Sequence, residues 1–104
     1  MITRIVKMTL QPEKVNEFIS FFDTIKHQIN TYKGCQGVKL LQDKNKPNIL
    51  FTYSLWNSEE DLNNYRHSQL FALVWPTTKK FFTDKAEAWS TEVYFDGVGF
   101  KSLT

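Results

Sequence analysis

The chain has 104 residues, enough for one domain around one core. Thirteen basic against 11 acidic side chains leave a net charge of +2, which argues against nucleic acid or another polyanion as partner. The single cysteine, Cys35, excludes an intrachain disulfide, and no apolar run is long enough to span a membrane.

Residues 2–10 alternate, with Ile2, Val6, Met8 and Leu10 on one parity and the charge of Arg4 interrupting it. This pattern predicts a half-buried strand. Pro12 and Glu13 suit the start of a helix, and Val15, Phe18, Ile19, Phe22, Ile25 and Ile29 follow as one apolar stripe. Lys33-Gly34 is a stop signal. A second strand is expected over 37–43, a turn at 44–48 and a third strand over 49–56. Ser58 is placed to cap the next helix, whose first turn holds Glu59, Glu60 and Asp61.

On a wheel of about 100° per residue, Leu62 and Tyr65 fall on one side while Phe71 and Val74 fall on the other. One straight helix cannot bury both pairs. A break near His67-Ser68 is expected, with Ser68 capping a second piece that Pro76 interrupts or restarts and that runs through Phe82. Residues 88–95 predict a fourth strand, and 96–104 an irregular tail. The whole is one domain over 1–104 with its core in about 2–95. The β-α-β-β-α-β order predicts an α+β, ferredoxin-like fold: a four-stranded antiparallel sheet with helices on one face.

Aromatic residues are abundant, with nine Phe, four Tyr and three Trp. They occupy both parities of the later strands: Phe51, Tyr53 and Leu55 on one side, Leu50 and Trp56 on the other. Helices cover only one face of such a sheet, so a second copy of the chain is expected to cover the other. There is no glycine-rich phosphate loop, nucleophile elbow or paired-cysteine metal site. With two histidines and one cysteine, a zinc site is not expected. Nor is a signal peptide, because Arg4 charges the first apolar stretch; a reducing cytoplasm fits.

The stretch Trp56-Asn57-Ser58-Glu59-Glu60-Asp61-Leu62, followed by Tyr65-Arg66-His67-Ser68-Gln69-Leu70-Phe71, resembles the antibiotic biosynthesis monooxygenase family. Pro12 at the first helix and Gly34-Cys35-Gln36-Gly37 before the second strand are similar to family elements, and the resemblance covers residues 2–95. It implies a dimeric α+β barrel, a homodimer whose enzymatic members oxidise aromatic or quinol-like molecules with O2 and no metal or flavin cofactor. A non-catalytic barrel that binds a small apolar molecule is the alternative. The haem-degrading relatives use Asn, Trp and His near the positions of Lys7, Tyr65 and Trp75; none matches, which argues against that activity.

Tyr65 and His67 are the candidate catalytic residues. Tyr65 could hydrogen-bond a substrate oxygen or be a core tyrosine, and His67 could be a base or a solvated loop residue. Trp56, Arg66, Phe71 and Trp75 are candidates for substrate binding. Arg66 could equally pair with Glu59 or Asp61, and the tryptophans could be core or interface.

Overall fold

The alternating N-terminal segment forms β1 (Ile2–Thr9), which pairs antiparallel with β3 (Ile49–Trp56) from end to end. The computed structural model describes residues 1–97. Its sheet has the order β2-β3-β1-β4, with β2 (Cys35–Gln42) and β4 (Glu87–Thr91) at the edges. Between β1 and β2 lie a 3-10 turn (Pro12–Lys14) and α1 (Val15–Asn30). Between β3 and β4 lie α2 (Glu59–Arg66) and α3 (Gln69–Lys79). This is the ferredoxin-like α+β order with its second helix in two pieces.

Register decides which residues meet the helices. The pairs Ile2–Trp56, Arg4–Ser54, Val6–Thr52 and Met8–Leu50 share one face, since successive side chains alternate across a strand. Met8, Leu50 and Trp56 are fully buried there, against Phe18, Phe22, Ile25 and Ile29 of α1 and Leu62, Tyr65 and Val74 of α2 and α3. The opposite face carries Ile5, Phe51, Tyr53, Leu55 and Trp89. No helix of the described residues covers it, and Trp89 remains 46% exposed.

The helix break is built by one serine. The Ser68 hydroxyl donates to the Tyr65 carbonyl at 2.6 Å, closing α2, and accepts from the Phe71 N–H at 3.1 Å, opening α3. Ser58 caps α2 in the same way, accepting from the Asp61 N–H at 3.1 Å.

Several boundaries differ from the sequence expectation. The first α-helix starts at Val15, after the 3-10 turn that Pro12 opens. β2 starts at Cys35, its entry accommodated by an irregularity between Cys35 and Gly37. Pro76 neither breaks nor restarts α3. The carbonyl it deprives of a donor belongs to Ala72, which is exposed to water. The helix stops at Lys79, not Phe82, because Phe81 and Phe82 turn inward and the chain joins the end of β1: the Gln11 N–H donates to the Phe81 carbonyl and the Thr83 N–H to that of Thr9. β4 has five residues and ends at Thr91, opposite Thr3 and one residue short of the start of β1. Val93, Tyr94 and Phe95 therefore lie outside any strand. The expected irregular tail lies outside the described residues beyond Gly97. Among the described residues no helix is long and apolar enough to cross a membrane.

Gly34 ties the two halves together. Its φ of 87° lies in the left-handed region, its carbonyl accepts from the Asn57 N–H at 2.8 Å, and the Asp61 side chain lies where a Cβ would sit. Gly34→Ala is expected to destabilise the fold by about 2 kcal/mol or more, from the backbone conformation alone about 1–2 kcal/mol. Urea denaturation of Gly34→Ala, Asp61→Ala and the double variant checks this. The double variant should recover only part of the loss, because Asp61→Ala removes the carboxylate from that space but leaves the Asp61 Cβ overlapping it.

Candidate functional site

The α1 stripe and α3 do not close fully on the sheet. Between them lies a cavity of about 300 Å³, apolar over most of its wall. The sheet supplies Arg4, Val6, Thr52 and Ser54 to the floor, with Ala86 and Ala88 at the β4 edge. The small side chain of Ala88 lies opposite Val6 and leaves room that a larger residue would fill. Phe18, Phe21 and Phe22 of α1 form one wall, and Phe71, Val74 and Trp75 of α3 another.

Five of the six candidates named from the sequence line this cavity: Trp56, Tyr65, Arg66, Phe71 and Trp75. The helix break brings them together. Ending α2 at Arg66 lets Leu62 and Tyr65 face the sheet, and restarting at Gln69 turns Phe71 and Trp75 to the same space. His67 is the exception. It is exposed at the end of α2, with Nδ1 2.7 Å from the Asn63 carbonyl, and it is not part of the lining.

Tyr65 is the hub of the aromatic wall. Its ring stacks on Trp56 with centroids 5.0 Å apart, and meets Tyr32 and Phe71 edge-on, each at 5.3 Å. Phe71 in turn stacks on Trp75 at 5.9 Å. The Trp56 indole donates to the Ser54 hydroxyl at 3.0 Å, which locks the ring beneath Tyr65. No hydrogen bond within the described residues engages the Tyr65 hydroxyl. Burial, with smaller contributions from Cys35 and Tyr32, pushes the Tyr65 phenol up to about 12. Tyr65 is thus a neutral hydrogen-bond donor near pH 7 and a poor base.

Sequence reasoning missed Arg4 as a site residue. The signal was present, since Arg4 interrupts the apolar parity of β1. Its guanidinium donates to the Ser90 hydroxyl at 2.9 Å. Burial, and then repulsion from Arg66, pulls it below the ordinary arginine range. Neither arginine makes an ion pair among the described residues, so the alternative partners for Arg66, Glu59 and Asp61, are not engaged. Cys35 is half-buried and burial raises its thiol, which suits a packing role. No group of three or more His, Cys, Asp or Glu is placed to hold a metal ion among the described residues.

Comparison with known proteins adds to this geometry. The family model described as antibiotic biosynthesis monooxygenase matches residues 1–74. Among solved structures, the chain is similar to a conserved protein from Methanosarcina mazei Go1, with 24% identity and a TM-score of 0.82. That match covers 88% of this chain and 92% of the other. A protein from Nitrosomonas europaea, assigned to the antibiotic biosynthesis monooxygenases, is 14% identical with a TM-score of 0.83. It is matched over 91% of this chain and 100% of its own. Identities this low speak for the fold alone. No match is found among the curated proteins.

The raised Tyr65 value fixes an alkaline signature. Unfolding returns the phenol to its ordinary 10.0, so above that pH the unfolded chain loses its proton first. The stability tied to the neutral phenol is complete below about pH 10 and falls as pH rises towards 12. Urea denaturation across that window should show a loss on the order of 2 kcal/mol that is absent in Tyr65→Phe.

Proposed function

Because the chain belongs to the antibiotic biosynthesis monooxygenase family, we propose that it is a cofactor-independent monooxygenase acting on an aromatic or quinol-like small molecule with O2. The observation that supports this reading is the aromatic-walled cavity lined by Tyr65, whose hydroxyl has no hydrogen-bond partner among the described residues. Flat apolar walls suit a ring system, and a few convergent polar groups suit its oxygens.

The chemistry asks little of the protein. An electron-rich phenol or enol, once deprotonated, passes electrons to O2 itself. A ring CH2 becomes C=O, the second oxygen atom leaves as water, and the substrate supplies all four electrons. The cavity excludes water and holds the ring among Phe71, Trp75 and the α1 phenylalanines. Tyr65 donates to the substrate oxygen and stabilises the anion, aided by the charges of Arg4 and Arg66. Those charges also favour ionisation of the substrate, which reduces the need for a strong base in the wall. His67 is left without a step.

We also propose that the active form is a homodimer, joined through the apolar sheet face of Ile5, Phe51, Tyr53, Leu55 and Trp89. Exposure of such a continuous face is costly in a lone subunit. The free Cys35 suits a reducing, cytoplasmic setting.

Oxygen-electrode measurements with a panel of hydroquinones and anthrone-like ketones test the enzymatic reading. At least one should drive oxygen uptake, with kcat lowered about 100-fold or more in Tyr65→Phe and unchanged in His67→Ala. Ligand binding without any uptake would instead favour a non-catalytic binding protein. The pairing has its own check in sedimentation velocity. The wild type should run as a dimer at micromolar concentration, and Tyr53→Glu combined with Trp89→Glu as a folded monomer.

A further inference from the structure

Arg4 and Arg66 are hard to explain as structural residues. Arg4 is the one charged side chain on the helix-facing side of β1, among Ile2, Val6 and Met8. It is half-buried, and its only hydrogen bond to described residues goes to the neutral Ser90 hydroxyl. Arg66 joins the same lining from the end of α2. Among the described residues no Asp or Glu lines the cavity, so two like charges border one largely apolar space, Arg4 half-buried and Arg66 exposed at its rim. Holding the half-buried Arg4 charge without an acidic partner is costly, the like charge of Arg66 beside it adds to the cost, and arginine does not relieve it by losing its proton. An anion entering the cavity would relieve it.

We propose that the cavity recognises the carboxylate of an aromatic acid, held by Arg4 and Arg66 while its ring lies among Phe22, Phe71 and Trp75. The planar guanidinium matches a carboxylate with two parallel hydrogen bonds, a geometry lysine cannot reproduce. Ser90 is a positioning residue, since its hydroxyl fixes one guanidinium nitrogen of Arg4. A volume of about 300 Å³ suits an acid of one or two fused rings. This assignment names the substrate class of the function proposed above and rests on the cavity being its substrate site, but not on the oxygen chemistry.

Anaerobic calorimetric titration with 2-naphthoate and 2-naphthamide separates charge recognition from ring binding. The wild type should bind the acid about 10- to 100-fold more tightly than the amide. Arg4→Met and Arg66→Gln should each lose most of that preference, weakening the acid far more than the amide, and Arg4→Lys should recover only part of it. Retained amide binding shows that a variant is folded. If Arg4→Met does not fold, Arg66→Gln carries the test, because Arg66 is exposed and outside the core. Equal affinity for the two probes, no binding of naphthoate, or a preference unchanged in the variants overturns the proposal. Preference for the acid without oxygen uptake by any hydroxylated aromatic acid would leave this site standing and remove the oxygenase reading.

Discussion

The indole of Trp56 is the joint on which the helical layer rests. It ends β3, is 1% exposed, and is fixed from below by the Ser54 hydroxyl. From above it carries the Tyr65 ring, which in turn meets Tyr32 just beyond α1 and Phe71 at the start of α3. One ring pair thus links the sheet to α2, α3 and the turn that follows α1. Rings of this size bury large areas and constrain their neighbours' angles. With α2 pinned at Tyr65, α3 can restart in a new direction, and that change of direction leaves the cavity beside the sheet.

The same sheet has two unlike apolar faces. On the helix side the packing is incomplete, and the deficit is bordered by residues that differ from a simple core: two arginines, Thr52, Ser54 and Thr78. A core optimised only for stability would fill that volume and exclude those charges. On the far side the surface is continuous and mainly apolar, with Lys39 over the Tyr53 ring and a long Lys7–Glu87 pair at 3.9 Å as its few charged features. One face is a container and the other a flat plate, and the register of β1 with β3 assigns every residue to one or the other.

Periodicity made the fold legible. The stripe of α1, the alternation of β1 and the mismatch between Leu62–Tyr65 and Phe71–Val74 each follow from local geometry, so element order and the helix break could be read directly. Boundaries set by distant partners could not. β4 ends opposite Thr3, close to the start of β1, and α3 ends where Phe81 and Phe82 find aromatic neighbours on α1 and α3. Pro76 misled because its effect depends on whether water reaches the Ala72 carbonyl. At the site, the aromatic wall was legible because its members cluster around the break. His67 sits at the same break but points to its own helix, an orientation that spacing cannot give. Arg4 was visible only as an exception to a pattern, and its meaning required knowing that Arg66, 62 positions later, shares its cavity.

The three tryptophans stand at three depths. Trp56 lies in the dry core, Trp75 is half-buried on the cavity wall, and Trp89 lies on the uncovered plate with nearly half its surface in water. Their emission should therefore divide into spectrally distinct populations, because indole fluorescence shifts to longer wavelength as water reaches the ring. The chain carries a built-in optical gauge in which one fluorophore follows core integrity, a second follows filling of the cavity, and a third follows coverage of the sheet.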